Sequence, residues 1–446
     1  MRFPKGFLWG TGTSSYQVEG AVGEDGRSPS IWDHFCRIPG KVKNGDTGDL
    51  ACDHYHRWEE DLDLMAALGL GAYRFSVAWP RVLPEGNGRV NPKGLDFYKR
   101  VAEGCLKRGI RPMITLYHWD LPQVLQEKGG WANREVAEHF AEFTAVTVRA
   151  LGDLVPDWIT HNEPWVIGYL GYAWGTHAPG LADERTALAA IHHLLLSHGL
   201  GVQAFRAAAP KNSRIGIVFN MGPIYPLTDS PEDRAAAWRA DGVNHRWFID
   251  PVMRGAYPAD TLAHFERKHG PLPFIQPGDL TVAAQPIDFL GFNIYSCGRV
   301  SHDPEAGDLQ VRWHPPVGPT TAMGWEIWPD SIHDLLVRIK ADYGEIPLYV
   351  TENGAAFDDR LDEQGQVADE DRIAYLRGHI ASAWRAIQAG VNLQGYFVWS
   401  LLDNFEWAEG YEKRFGIVYV DYPTLRRIPK QSFYFYRDLI RANGLA

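Results

Sequence analysis

Two glutamates stand in settings suited to paired acid–base chemistry. Glu163 follows Thr160-His161-Asn162 and precedes Pro164, and Glu352 sits in Thr351-Glu352-Asn353-Gly354. Each comes directly after an apolar, strand-like run, Asp157-Trp158-Ile159 in one case and Pro347-Leu348-Tyr349-Val350 in the other. A glycosidic bond breaks between two facing carboxyls, one protonating the leaving oxygen while the other attacks or stabilises the anomeric carbon. The attacking carboxylate must stay ionised, so it needs a cation or donors, and Arg74, Asn293 and Tyr295 at other strand ends can supply them. Its charge raises the pKa of its partner and keeps that acid protonated. A glutamate at a strand end is ordinarily a solvated rim charge. Asn162 before Glu163, Trp165 after it and a second glutamate at another strand end argue for chemistry instead.

Only a closed fold brings two such distant residues face to face. Short β-branched or aromatic runs predict strands at Phe7–Thr11, Ala72–Ser76, Pro112–Tyr117, Asp157–His161, Arg214–Asn220, Asp288–Tyr295, Pro347–Glu352 and Gln394–Ser400. Helical stretches fall between them, including His54–Leu68, Pro92–Arg108, Arg134–Leu151, Thr186–Ala208, Asp330–Tyr343 and Asp371–Ala389. Gly109, Gly152 and Gly390 follow three of these as expected C-caps. Eight strands alternating with helices predict an α/β fold, a (β/α)8 barrel, with residues 1–446 as one domain and no linker or low-complexity tract dividing them. The barrel itself takes about 250 residues, so the excess belongs to long βα loops. Chemistry in such barrels gathers at the C-terminal strand ends. Here those ends carry Arg74, His118, Asn162, Glu163, Asn220, Asn293, Tyr295, Glu352 and Trp399, with Gln17 just beyond the first.

A formal charge of −11 argues against nucleic acid or an anionic membrane as partner. No run of 18 apolar residues is present to span a bilayer, and Met1–Gly6 has no signal-like apolar segment. Four dispersed cysteines without CxxC spacing read as reduced thiols in a cytoplasmic protein. Seventeen tryptophans, many beside Asn, Glu, His or Gln, suit flat sugar faces flanked by hydroxyls, although large barrels also bury many aromatics. Gly10-Thr11-Gly12 lacks the third glycine of a dinucleotide loop, and the histidines show no metal-ligand spacing. No cofactor and no metal is expected, and monomer and homo-oligomer stay equally open.

Nearly the whole chain resembles glycoside hydrolase family 1, the β-glucosidase family of retaining (β/α)8 enzymes. The motifs are Phe-Leu-Trp-Gly-Thr-Gly-Thr-Ser-Ser-Tyr-Gln-Val-Glu-Gly-Ala (7–21), Tyr-His-Trp-Asp-Leu-Pro (117–122), Asn-Glu-Pro (162–164), Thr-Glu-Asn-Gly (351–354) and Trp-Ser-Leu-Leu-Asp-Asn-Phe-Glu-Trp (399–407). The resemblance implies Glu163 as acid/base and Glu352 as nucleophile. It implies that Gln17, His118, Asn162, Glu406 and Trp407 hold the glycone hydroxyls and that Trp399 is the stacking floor. Trp165, Leu170, His177 and Trp325 are expected to wall the aglycone side. His161 stands where Leu or Phe is usual, and its side chain is expected to face away from the pocket. Relatives acting on 6-phosphorylated sugars carry Ser in place of Glu406 with Lys and Tyr downstream; here these are Glu406, Lys413 and Phe415, which favours a neutral sugar. Glu163 rather than Gln favours O-glycosides over thioglucosides. The expected activity is hydrolysis of terminal β-glucosides such as cellobiose or aryl β-glucosides, with β-galactosides and β-fucosides as further substrates. A 6-phospho-β-glucosidase and a catalytically silent sugar-binding barrel are the alternatives.

Overall fold

In a computed structural model of the chain, which describes residues 1–445, eight parallel strands close into a barrel. They are β1 (Leu8–Gly12), β2 (Ala72–Ser76), β3 (Arg111–Tyr117), β4 (Asp157–Asn162), β5 (Arg214–Asn220), β6 (Phe289–Asn293), β7 (Leu348–Asn353) and β8 (Leu393–Val398). Each strand pairs with its neighbours in sequence order, and β1 closes the ring by pairing with both β8 and β2. One residue from every strand fills the floor of the barrel: Leu8, Ala72, Met113, Ile159, Val218, Phe289, Tyr349 and Phe397. The interior is therefore a packed plug below and free for polar side chains above.

All eight strands lie where the sequence places them, with two shortened at the C-terminal end. The run expected to reach Tyr295 ends at Asn293, whose pairing is closed by the last ladder bond, Ile294 N to Glu352 O at 3.0 Å. The run expected to reach Ser400 stops at Val398, and Trp399 N donates to Asn353 O. The helices His54–Leu68 and Asp330–Tyr343 match residue for residue, and the others shift by one or two positions. Gly109 and Gly390 are left-handed, at φ +72° and +85°, as a C-cap position requires. Gly152 is not, with φ −59°. It is small for another reason: a Cβ there would stand 2.6 Å from Val148 O and 3.0 Å from Pro210 Cδ.

The loops add three features that no periodic pattern announces. A three-stranded sheet of Ile224–Pro226, Gly298–His302 and Val311–Trp313 rises at the mouth, and a hairpin joins Val418–Asp421 to Arg426–Pro429. A final helix, Gln431–Ala442, brings the C-terminus back under the barrel, where Met1 N donates to Leu445 O at 2.7 Å. Among the described residues no helix is long and apolar enough to cross a membrane.

The loops after β7 and β8 are locked together by buried ions. Lys430 Nζ donates to Asp403 at 2.7 Å and to Asp359 at 2.5 Å, with both carboxylates and the ammonium fully or almost fully buried. Arg372 reaches Asp359 at 2.7 Å, and Arg414 reaches Asp403 at 2.7 Å. Removing one partner from such a set strands the remaining charge away from water. Lys430→Met is expected to lower the unfolding free energy by about 3 kcal/mol. Urea denaturation checks this, and an unshifted midpoint would show that the two arginines neutralise the aspartates unaided.

Candidate active site

The C-terminal ends of the strands surround a cavity of about 600 Å³, within the usual range for small-ligand sites. Glu163 and Glu352 both line it, carried by the ends of β4 and β7. Both are almost fully buried, at 6% and 4% exposure, so neither is a solvated rim charge.

Their surroundings differ. Glu352 Oε1 takes a hydrogen bond and ion pair from Arg74 Nη1, while its Oε2 accepts from Tyr295 Oη at 2.5 Å. Glu163 has no cation in contact; its Oε1 accepts from Asn293 Nδ2 at 2.5 Å. Asn293, expected beside Glu352, thus bonds to the other carboxylate, although it lies close enough to favour ionisation of Glu352 too. The register explains this position: Asn293 pairs with Glu352 across β6 and β7 and with Asn220 across β5 and β6, so its amide sits between the two glutamates' strands. Its Oδ1 is held by Thr351 Oγ1 at 2.7 Å, which turns the nitrogen toward β4.

Burial, then the charge of Glu352, pushes the Glu163 pKa well above the ordinary carboxylate value. Burial also raises Glu352, but Arg74 and Tyr295 pull against it and favour its ionised form. Glu406 is pushed up to about 8 by burial and by Glu352. His118 is held far below the ordinary histidine range, by burial first and Arg74 second, so it is a neutral ring that can meet hydroxyls.

Of the expected glycone residues, His118, Asn162, Trp399, Glu406 and Trp407 line the cavity. Gln17 does not. It is wholly buried behind the wall, where its Nε2 donates to Phe405 O at 2.8 Å and reaches Glu406 Oε2 at 3.4 Å. Gly354, the last residue of Thr-Glu-Asn-Gly, lets the floor approach: a Cβ there would be 1.8 Å from Trp399 O. His161 turns outward, bonded to Ser197 at 2.8 Å and stacked on Phe140.

Trp165, Leu170, His177 and Trp325 all line the same cavity. Trp165 is fixed by Nε1 donating to Asn244 Oδ1 at 3.0 Å, and Trp325 packs on Tyr295 and Phe415. His177 sits deeper than expected, between Trp32 and Trp119, and burial lowers its pKa to about 3. Trp119 was not singled out, yet its ring packs 4.6 Å from Trp407 and its Nε1 donates to Asn162 O at 2.8 Å. The signal was present, since Trp119 follows His118 in the Tyr-His-Trp-Asp-Leu-Pro motif. Asn244 in the helical turn Gly242–Arg246, Cys297, and Trp313 on the short strand Val311–Trp313 also line the cavity, in segments without any such motif.

Residues 1–445 match the family model described as glycosyl hydrolase family 1. The chain is 52% identical to beta-glucosidase A of Thermotoga maritima, over 100% of this chain and 99% of that one. It is 45% identical to a bifunctional beta-D-glucosidase/beta-D-fucosidase of Bifidobacterium breve, over 99% and 98% of the two chains. The solved structure of the Thermotoga maritima beta-glucosidase in complex with deoxynojirimycin superposes with a TM-score of 0.96 at 51% identity, covering 100% of both chains. With the match running along the whole described length, the chain belongs to glycosyl hydrolase family 1.

Proposed function

We propose that the chain is an exo-acting, retaining β-glucosidase in which Glu352 is the nucleophile and Glu163 the acid/base. The observation that carries the assignment is the asymmetry of the pair: Arg74 and Tyr295 favour charge on Glu352, while Glu163 has one amide and a neighbouring negative charge. In the first step a Glu352 oxygen attacks the anomeric carbon, the bond to the leaving oxygen breaks, and Glu163 gives that oxygen its proton. In the second, Glu163 takes a proton from water, the water oxygen bonds to the same carbon, and the ester to Glu352 breaks. Two inversions leave the anomeric configuration retained.

His118, Asn162, Glu406 and Trp407 would hold the glycone over Trp399, with Gln17 orienting Glu406 from behind. Trp165, Leu170 and Trp325 wall the outer part. Among the described residues no lysine or arginine lines the cavity, and Lys413 Nζ donates to Ala322 O at 2.8 Å. A 6-phosphate would meet carboxyls and no cation, which supports a neutral sugar. The name of the Bifidobacterium breve relative supports β-fucosides beside β-glucosides, and β-galactosides belong to the same neutral class. Cellobiose as a substrate would support a part in cellulose breakdown, and four free thiols support a cytoplasmic setting. The uniform match along residues 1–445 supports one catalytic domain.

Glu352→Gly is expected to cut turnover of an aryl β-glucoside by several orders of magnitude, and near-native turnover would remove Glu352 from the nucleophile role. Proton NMR of the wild-type reaction should show β-glucose formed first; α-glucose as first product would exclude retention. The wild type should leave a 6-phosphoglucoside uncut.

Two substitutions should move the Glu163 titration in opposite directions. Glu352→Gln removes the like charge, so the Glu163 pKa falls. Asn293→Ala removes a donor that favours the ionised form, so it rises. Carbon-13 NMR of labelled glutamates reads both shifts. General acid activity is present below the Glu163 pKa and lost above it, so the alkaline limb of kcat/KM in Asn293→Ala should move to higher pH. An unmoved limb would refute this link.

A further inference from the structure

Asn353 belongs to the Thr-Glu-Asn-Gly motif, yet it has no part in the reaction described above. Side chains alternate along β7, so Glu352 enters the cavity while Asn353 points out of the barrel toward the helix Glu370–Gln388. There it is buried with Tyr375 of that helix and Tyr396 of β8. Both ends of its amide are in use. Tyr396 Oη donates to Asn353 Oδ1, and Asn353 Nδ2 donates to Ile294 O at 2.6 Å and to Tyr375 Oη at 3.1 Å. Tyr375 Oη then donates to Tyr295 O at 2.9 Å. Carbonyl oxygens only accept, so the direction of every bond in this chain is set.

The two main-chain carbonyls in this chain lie where strand pairing stops. β6 ends at Asn293, so Ile294 and Tyr295 follow it as loop. Tyr295 nonetheless makes a contact that tolerates little displacement, its Oη donating to Glu352 Oε2 at 2.5 Å. Trp325 and Phe415 pack on the Tyr295 ring, while Asn353 and Tyr375 hold the main chain that carries it. Tyr375 is seated in turn, stacked on His379 with ring centroids 3.8 Å apart. The residue next to the nucleophile thereby holds, from outside the barrel wall, a donor that serves the nucleophile from inside.

We propose that Asn353 and Tyr375 are positioning residues for the reaction: they fix the main chain at Ile294 and Tyr295 so that the Tyr295 hydroxyl meets Glu352. Neither lines the cavity. Their role rests on Glu352 being the nucleophile, and adds to that reading what holds its donor. Glu352 also faces Arg74, Glu163 and Glu406, and a change at Tyr375 or Asn353 removes none of these. The Tyr295 bond favours the ionised form of Glu352. Losing that bond raises the Glu352 pKa, and only the ionised carboxylate attacks, so on acidification activity is lost at a higher pH.

The test follows the acid limb of kcat/KM for p-nitrophenyl β-glucoside in the wild type, Tyr375→Phe, Asn353→Leu, Tyr295→Phe and the double variant Tyr295→Phe/Tyr375→Phe. Tyr375→Phe keeps the ring and its stack on His379 but removes the donor to Tyr295 O. Its limb is expected to move up by about half a pH unit, that of Asn353→Leu likewise, and that of Tyr295→Phe by about one. In the double variant the limb should stay where Tyr295→Phe puts it, because the hydroxyl that Tyr375 positions is already gone. A merely structural role would lower the rate or the melting temperature and leave the limb in place. An unmoved limb in any single variant overturns the proposal, as does a further move in the double variant. Carbon-13 NMR of labelled glutamates reads the lower titration of the Glu163–Glu352 pair in any variant too slow to assay. A wild type that releases no nitrophenol, or a Glu352→Gly variant of near-native turnover, would overturn the nucleophile reading instead.

Discussion

The site depends on one buried cation. Arg74 has no exposed surface, and its guanidinium donates to four residues on three other strands: Thr115 of β3 at 3.2 Å, Asn162 of β4 at 2.6 Å, and the Thr351 carbonyl and Glu352 of β7. A charge in that position is tolerable only when it is paired and fully hydrogen-bonded. Closing the barrel supplies both at once. The cation in turn decides which of the neighbouring carboxyls can ionise. Glu163 and Glu352 are buried beside it and Glu406 lies near Glu352, so one positive charge faces three carboxyls. Burial raises all three, but only Glu352 touches Arg74, whose charge pulls against that rise. The division of labour is thus a consequence of contact geometry rather than of residue type.

Backbone conformation is bent to the same end. Glu163, Trp119 and Trp407 have φ of +54°, +79° and +51°, a left-handed region that bulky residues seldom occupy. Such strain persists where the surroundings overdetermine it. Glu163 N is held by Val218 O at 2.9 Å, Trp119 by the Asn162 carbonyl, and the turn at Trp407 by Glu406 N donating to Gly410 O at 2.7 Å. The three strained residues all face the cavity, which is where backbone energy is usefully stored.

Much of this was legible in the chain. Strands showed as β-branched and aromatic runs because a barrel strand is buried on both faces, and Glu163, Glu352, Arg74 and Tyr295 all occupied strand ends that a barrel must gather. What escaped depended on three-dimensional approach. Gly152 caps its helix as the sequence suggests, but without the left-handed turn, and it is small because Pro210 arrives from elsewhere. Gln17 carries a motif position yet lies behind the wall, since the loop bearing Phe405 and Glu406 covers it. His177 lines the cavity as expected, but its packing between Trp32 and Trp119 could not be read from the sequence. The sheet that carries Trp313 is made of strands as short as three residues, too short for any alternation to register.

Asn293 shows how far strand-end reading can reach and where it stops. Its location beside the nucleophile's strand was inferable, but which carboxylate it would serve depended on Thr351 holding the amide oxygen. That small constraint has a consequence for the whole reaction. While Glu352 is charged, burial and the repulsion it adds together outweigh the hydrogen bond from Asn293, and Glu163 favours its protonated form. In the proposed reaction Glu352 becomes an ester, so the repulsion vanishes and the hydrogen bond stays. The same amide then favours the ionised form of Glu163, the form that must accept a proton from water. Burial acts in both states, so a fixed donor and a charge that comes and goes are what would shift this residue from acid toward base.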